Sequence, residues 1–305
     1  MSAAVEAAIA AVPSWRGRVS EVSLLSGGLT NHNYLVRVED TPYVVRIPGA
    51  QTELLAIDRE NELYNTRAAA SVGIGPEVIH VLPELGVVVL GFIPGRTMSN
   101  ESMSRPEMPA RVAQALGTLH GGPRFLRDFD MFRLTEHYLA VVDERAIPVP
   151  DGYRELVVEV PHLERALGRR PLPTVPCHND LLAENYLDDG QRLHIVDYEY
   201  SGNNDPAFEL GNTCQELGWD EGRVAALCAA YFGRASAPLL ARLRLDMIMS
   251  DVGWTLWAAI QARVSTIDYD FWGWALERWT RTQAGLTSPD LGRWLTAVAK
   301  DPDAA

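Results

Sequence analysis

The sequence predicts an α+β fold in which a small antiparallel β lobe precedes a larger, mainly helical lobe. Strand-like segments bounded by turn residues crowd the first ninety residues. Helical spacing of apolar residues dominates the remainder of the chain. Glycine and proline cluster between these regions at residues 91–95, where we expect a hinge. We therefore expect two units, residues 1–91 and residues 92–305.

The β lobe is predicted from apolar runs that end in turn signals. Ser26-Gly27-Gly28 separates the first two runs and gives a strand–turn–strand pattern. A helix is predicted over residues 52–70, because the glycines that follow would stop it. The four strand candidates are residues 22–25, 34–38, 43–47 and 87–90.

The second lobe is predicted from apolar residues that recur three or four positions apart. Met108, Val112, Leu116 and Leu119 form one such series, and residues 243–264 contain another. Residues 175–200 are the exception, since they read as short apolar strands joined by loops.

Composition narrows the class of protein. Hydrophobic residues make up 47% and charged residues 22% of the 305 residues, which is typical of a globular protein and excludes a fibrous or disordered chain. No apolar run approaches the roughly 18 residues of a membrane span. The net charge of −13 disfavours nucleic-acid binding and suits a cationic small substrate.

The cysteines and the N-terminus favour a cytoplasmic location. The three cysteines, Cys177, Cys214 and Cys228, are odd in number and lack CxxC spacing, which argues against a disulfide framework and a zinc ribbon. Residues 1–13 contain Glu6 and no basic residue, which is the opposite of a secretory signal.

Lysine is almost absent from this chain. Lys300 is the only lysine among 27 basic residues, and it lies next to the C-terminus. A Walker A loop and Schiff-base chemistry each need a lysine, so we expect neither. A cation that binds phosphate within this fold must therefore be an arginine.

The sharpest local motif is His178-Asn179-Asp180 with Asn185 five residues beyond the aspartate. An apolar strand then ends at Asp197. Phosphoryl transfer needs Mg²⁺, which takes amide and carboxylate oxygens, and a separate aspartate that receives the proton of the acceptor hydroxyl. We assign Asp180 as the base and Asn185 and Asp197 as metal ligands, while His178 holds the loop.

Two other interpretations of this motif stay open from the residues alone. Aspartate and asparagine often cap turns without any chemical role. His178, Asp180 and Asp197 could instead bind a transition metal in a hydrolase. The absence of a second histidine at helical ligand spacing disfavours the hydrolase.

The motif resembles the choline/ethanolamine kinase family, which belongs with the aminoglycoside phosphotransferases and has a protein kinase-like two-lobe fold. The similarity includes residues 178–185 and 195–201, and it extends over most of the chain. It implies an ATP- and Mg²⁺-dependent kinase of a small alcohol.

The resemblance also implies a nucleotide site. Residues 25–31 correspond to the family's nucleotide loop, and Arg46 occupies the strand position of the basic phosphate ligand. Glu62 would hold Arg46, with Glu60 as the alternative. Residues 90–93 would bind adenine through their backbone. The implied nucleotide-binding residues are Ser26, Gly27, Gly28, Thr30, Asn31, Arg46, Glu62, Phe92 and Ile93.

The implied substrate site is aromatic. Five of the eight tryptophans lie between residues 254 and 279, and residues 253–265 resemble the choline kinase helix that lines the head-group pocket. Trp254, Trp257, Tyr269 and Trp274 would surround a cation, and Glu216 would face it. Trp274 replaces the family's tyrosine.

Ring faces suit a quaternary ammonium, which donates no strong hydrogen bonds, so choline ranks first among the possible substrates. Ethanolamine, another amino alcohol or an aminoglycoside is the alternative, and a catalytically silent nucleotide-binding module is a third possibility.

Overall fold

The computed structural model describes residues 3–25, 28–49 and 52–300. Its N-terminal part contains helix α1 (Ala3–Ala11), strands β1 (Val19–Leu24), β2 (Asn31–Val38) and β3 (Thr41–Pro48), helix α2 (Arg59–Ser71), and strands β4 (Val78–Leu82) and β5 (Val87–Gly91). The strands form one antiparallel sheet in the order β1-β2-β3-β5-β4. The predicted β lobe is thus confirmed, and β4 is a strand that the sequence analysis missed.

The predicted helix over residues 52–70 begins later than expected. Thr52–Leu55 is a short 3₁₀ turn, and α2 starts only at Arg59. Asp58 is the reason, because its side chain accepts hydrogen bonds from the backbone N–H groups of Glu60 and Asn61. A carboxylate in that position caps a helix and fixes where it begins.

The sheet of the first lobe has its own hydrophobic core. Val36, Val45 and Val89 from the sheet pack with α1 and with Trp15, which lies in the 3₁₀ turn Pro13–Trp15. Burial of these side chains removes apolar surface from water and holds α1 against the sheet.

The rest of the chain is mainly helical. The short strand β6 (Arg96–Thr97) leads into helices α3 (Asn100–Met103), α4 (Met108–His120), α5 (Met131–Glu144), α6 (Tyr153–Leu156) and α7 (Val160–Leu167). Strands β7 (Val175–Cys177), β8 (Tyr186–Asp188), β9 (Leu193–Ile195) and β10 (Gly202–Asn204) follow. The chain then forms α8 (Pro206–Glu216), α9 (Glu221–Phe232), α10 (Ala237–Val264), α11 (Phe271–Leu286) and α12 (Leu291–Ala297).

Short strand pairs place the loops of the predicted motif. β7 pairs with β10, and β8 lies between β6 and β9. The Ile195 backbone N–H donates to the Ile74 carbonyl at 2.9 Å, so the loop after β9 is tied to the segment that follows α2.

Helix α10 is the central helix of the second lobe. It is buried on nearly all sides and packs against α5, α8 and α11. A helix that is apolar all round is typical of a protein interior. No single helix in the described ranges is long and apolar enough to cross a bilayer; α9 and α10 satisfy that test only together, and they are bent by 116° at their junction.

A glycine allows α8 to approach α10. A Cβ atom on Gly211 would lie 3.0 Å from the Leu243 carbonyl oxygen and 3.1 Å from the Met247 backbone nitrogen. Contacts this short with backbone cannot be relieved by a side-chain rotation, so only glycine fits without moving a helix.

We expect Gly211→Ala to lower the free energy of unfolding by about 1–3 kcal/mol, because α8 and α10 must separate. The matched control is Gly117→Ala in α4, where an added Cβ meets nothing within 4 Å. The control should gain up to about 1 kcal/mol from the better helix propensity of alanine. Urea unfolding measures the free energy of unfolding of both variants, and equal changes would contradict the packing argument.

Candidate active site

The loop that carries the predicted motif connects β7 to β8 and is fixed by hydrogen bonds to a buried glutamate. Glu209, in the first turn of α8, is fully buried and accepts the backbone N–H groups of His178 at 2.8 Å and Asn179 at 2.6 Å. Asn212, one turn further along, accepts the N–H of Leu181 at 2.9 Å. The loop is thus fixed to a helix before any ligand binds.

His178 supports the same loop, as expected. Its Nε2 lies 2.9 Å from the Val196 carbonyl, and its Nδ1 accepts the Asp180 backbone N–H at 3.3 Å. Burial lowers the pKa of His178, so the neutral ring donates at one nitrogen and accepts at the other. His178 therefore links the loop to the segment before Asp197.

Glu209 also lies near His120 and Cys177, and these three side chains come within 4.8 Å of one another. Burial raises the pKa of the Cys177 thiol well above its usual value, which keeps it protonated. Both oxygens of Glu209 already accept backbone N–H groups. The trio therefore belongs to the packing under the loop.

The predicted base and metal ligands meet in one cavity. This cavity has a volume of about 500 Å³, and Asp180, Asn185 and Asp197 all line it. The Asn185 Nδ2 donates to the Asp180 carbonyl at 2.8 Å, so the amide oxygen is the end that can bind a metal. Asn185 and Asp197 supply hard oxygen donors, which suit Mg²⁺.

The pKa values of the two aspartates are shifted in opposite directions. Burial, and then the nearby charges of Glu216, Glu199 and Asp197, raise the pKa of Asp180 well above its usual value. Burial is the largest single effect on Asp197 and opposes its ionisation, but the charge and the hydrogen bond of Arg46, together with the charge of Arg59, lower the pKa of that carboxyl. Asp197 is thus held as an anion, while Asp180 has a strong affinity for a proton.

Arg46 is the centre of a buried ion-pair network. It extends from β3, and its Nε lies 3.0 Å from Glu62 on α2. Its Nη2 pairs with Asp197 and lies 3.5 Å from Glu199. These acids raise the pKa of Arg46 despite the opposing effect of its burial. Of the two helix acids considered, Glu62 makes this pair, whereas Glu60 is exposed.

The network continues to the predicted nucleotide loop. Asn31 donates to Glu199 at 2.8 Å and accepts from Arg59 at 3.1 Å, while Arg59 lies 2.6 Å from Glu62. A small cavity of about 50 Å³ is lined by Asn31, Arg46 and Asp197 beside the larger one.

Two of the other predicted nucleotide-binding residues, Gly28 and Thr30, line the larger cavity. A Cβ on Gly28 would collide with the Asn31 carbonyl. Phe92 and Ile93 follow β5 at the connection between the two lobes. Ser26 and Gly27 lie outside the described residues.

The sequence analysis assigned no role to Glu199 or Arg59, although both belong to this network. Glu199 follows Asp197 by two residues, and that spacing was the available signal. Burial raises the pKa of Glu199 to about 7, with the charge of Asp197 acting in the same direction. Arg59 contacts Glu62 within α2, but its link to the rest of the network depends on Asn31 from β2 and Glu199 from the loop after β9.

Four aromatic side chains line the same cavity as Asp180. Trp257 lies 5.2 Å from Trp274 and 6.3 Å from Trp254 between ring centroids, and Tyr269 lies 6.4 Å from Trp274. Trp254 and Trp257 are 2% and 3% exposed, whereas Tyr269 is 45% exposed at the mouth. The four predicted aromatic residues are therefore brought together, with Trp254 and Trp257 buried, Trp274 partly buried and Tyr269 at the entrance.

Glu216 lines the cavity, but another residue also contacts it. Its Oε2 pairs with Arg278, a residue of α11 that the sequence analysis did not consider. The Arg278 guanidinium carbon lies 3.2 Å from the centroid of the Trp274 ring. Burial raises the pKa of Glu216 and lowers that of Arg278.

Comparison with known proteins agrees with this geometry. The profile of the choline/ethanolamine kinase family matches residues 22–225. Mouse ethanolamine kinase 2 is 27% identical over 299 residues, covering 88% of this chain and 77% of that protein.

Two solved structures are similar over nearly the whole chain. A choline/ethanolamine kinase family protein from Mesorhizobium loti is 38% identical with a TM-score of 0.85, covering 97% of this chain and 98% of that one. Choline kinase LicA from Streptococcus pneumoniae is 26% identical with a TM-score of 0.79, covering 93% and 99%. LicA has also been solved in complex with AMP, with a TM-score of 0.76. The chain belongs to the choline/ethanolamine kinase family, and it is a phosphotransferase that acts on an alcohol group.

Proposed function

We propose that this protein transfers the γ-phosphoryl group of ATP to the hydroxyl of choline and forms phosphocholine. The observation that carries the proposal is the single cavity that Asp180 lines together with Trp254, Trp257, Tyr269 and Trp274. Choline phosphorylation needs a general base and ring faces that suit a methylated cation, and these residues can supply both.

The nucleotide half of the proposal rests on the buried network. Gly28, Thr30 and Asn31 lie beside the cavity, and Arg46 is the buried cation at its edge. With no lysine available within the lobe, Arg46 binds the phosphates and Glu62 orients it. The AMP complex of LicA supports a nucleotide site in this family.

Asn185 and Asp197 would hold Mg²⁺, and Glu199 lines the same part of the cavity. When bound there, Mg²⁺ neutralises charge on the phosphates. Asp180 orients the choline hydroxyl and accepts its proton as the oxygen attacks phosphorus. Its raised pKa makes it a better proton acceptor than an ordinary aspartate, provided that it is deprotonated when the substrate binds.

The aromatic wall would hold the trimethylammonium group. Each ring that faces the cation contributes about 0.5–2 kcal/mol, depending on how far water is excluded. The acids that line the cavity, among them Glu184 and Asp268, add a negative field that attracts a cation. Holding the cation directs the hydroxyl towards Asp180.

Ethanolamine is the second candidate substrate. Several of the curated relatives are ethanolamine kinases, whereas LicA from Streptococcus pneumoniae is a choline kinase. Glu216 would favour ethanolamine if its carboxylate were free to accept hydrogen bonds from a primary ammonium. An assay of ADP release with each alcohol separates the two, and a silent nucleotide-binding module would release ADP with neither.

The three cysteines fit a cytoplasmic location, which we also propose. Each is buried and free in the structure, as expected for thiols in a reducing compartment.

We expect Asp180→Asn to lower kcat at least about 100-fold while the Kd for ATP changes less than threefold, because only the proton acceptor is lost. A coupled ADP assay and calorimetry with ATP measure the two quantities. Asp143→Asn is the control, since Asp143 is exposed on α5 and its carboxylate pairs with Arg154 of α6. Retention of more than a tenth of the wild-type kcat would exclude Asp180 as the base.

We expect Tyr269→Ala to raise the KM for choline about threefold to tenfold, which corresponds to the loss of one exposed ring face. The kcat and the KM for ATP should stay unchanged, because Tyr269 is far more exposed than the wall tryptophans and contributes little to the core. Tyr64→Ala is the matched control, since Tyr64 is 46% exposed on α2. Steady-state kinetics with choline measure the KM of each variant, and an unchanged KM for choline in Tyr269→Ala would count against the aromatic site.

A further inference from the structure

One arginine already occupies part of the aromatic cavity. Arg278 is 1% exposed, and its guanidinium lies against the face of Trp274 at 3.2 Å from the ring centroid. The same guanidinium pairs with Glu216. A ring face and a carboxylate are the two groups that a substrate cation would use, and here Arg278 contacts both.

The pair with Glu216 is the main charge compensation that Arg278 has. Its neighbour Arg281, one turn along α11, is directed to another acid and contacts Asp251 at 2.8 Å and 2.6 Å. A buried guanidinium without a partner is strongly destabilising, so Arg278 needs Glu216. The charge of Glu216 is correspondingly balanced before any substrate arrives.

The ion pair between Glu216 and Arg278 leaves two buried polar atoms unsatisfied among the described residues. Within the described ranges, Glu216 Oε1 and Arg278 Nε are buried and have no hydrogen-bond partner. Arginine and glutamate in a packed core usually pair through two parallel hydrogen bonds, which would satisfy both atoms. Here the guanidinium is instead placed where it stacks on Trp274, a ring that also lines the substrate cavity.

This arrangement affects two kinds of cation differently. A primary ammonium has three N–H donors and needs acceptors, and a glutamate already paired with arginine is a poor one. A trimethylammonium has no N–H donor and binds through ring faces. Arg278 covers one face of Trp274, while the rings of Trp254, Trp257 and Tyr269 also line the cavity. Neutralising Glu216 therefore removes an advantage that ethanolamine would otherwise have.

We propose that Arg278 is a specificity-determining positioning residue of the amino-alcohol site: by neutralising Glu216 and stacking on Trp274, it makes the site select a methylated ammonium over a primary one. The proposal rests on the proposed function, since it concerns the choice between two acceptors of the same kinase. It assigns Glu216 the role of balancing Arg278, in place of direct contact with the substrate cation.

The first test is a rescue experiment on the pair. Glu216→Gln leaves Arg278 uncompensated beside the substrate cation, so the KM for choline should rise at least tenfold while the KM for ATP stays within threefold. The double variant Glu216→Gln with Arg278→Gln removes both charges, and the KM for choline should return to within threefold of wild type. A double variant as impaired as the single one would show that Glu216 binds the substrate directly, and this would overturn the proposal.

The second test is the preference ratio, defined as kcat/KM for choline divided by kcat/KM for ethanolamine. Arg278→Gln frees the carboxylate of Glu216, so the ratio should fall at least tenfold, whereas the double variant should keep the wild-type ratio within threefold. Arg281→Gln is the matched control, because Arg281 lies on the same helix, lines the same cavity and also pairs with a buried acid. Its ratio should stay within threefold of wild type. An unchanged ratio in Arg278→Gln, or an equal change in Arg281→Gln, would overturn the proposal.

Two further measurements distinguish a failure of the Arg278 proposal from a misfolded variant and from a failure of the proposed function. Circular dichroism and thermal unfolding check each variant. Should either single variant not fold, the double variant decides alone, because it contains no unpaired buried charge: its KM for choline should stay within threefold of wild type, and a rise of tenfold or more would overturn the proposal. A wild-type protein that phosphorylates neither alcohol would refute the proposed function instead. Calorimetry of choline and ethanolamine binding to the same variants would then test Arg278 without turnover, and a wild type that binds neither alcohol would overturn both proposals.

Discussion

The buried positive charge of Arg46 is the constraint on which the active site depends. A guanidinium out of water is tolerated only with compensating acids, and those acids come from different parts of the chain. Glu62 approaches from α2, while Asp197 and Glu199 approach from the loop after β9. Satisfying this one cation therefore brings the sheet of the first lobe against the loop of the second, and the nucleotide cavity lies at that junction.

The second lobe holds its half of the site by a similar use of buried polar groups. Glu209 and Asn212 from α8 accept backbone N–H groups of the motif loop, and α8 is held against the central helix α10 through Gly211. Backbone N–H groups that are buried must find acceptors, so the loop conformation and the helix packing specify each other. Asp180 and Asn185, the proposed base and a proposed metal ligand, are thereby held by rigid elements, as phosphoryl transfer requires.

Charge balance in the cavity links the proposed nucleotide and alcohol sites. Burial is the main cause of the raised pKa of Asp180, and the charges of Glu216, Glu199 and Asp197 act in the same direction. Binding of the proposed cationic alcohol and metal ion would relieve that repulsion. On the other side, Glu216 is balanced by Arg278, so the field that attracts a cation comes mainly from the acids around the base and the mouth.

The sequence by itself determined the two-lobe fold, because turn residues and apolar periodicity are local signals, and it determined the kinase family through the motif from His178 to Asp197. The lysine-poor composition also predicted that an arginine would bind phosphate, and the family resemblance singled out Arg46 without any structure. Only the tertiary structure decided which charges compensate each other. The partners of Glu199 and Arg278 lie on other elements, and Arg59 joins its helix neighbour Glu62 to Asn31 on β2. Long-range pairing of buried charges depends on how helices and strands pack, and no local pattern of residues encodes that geometry.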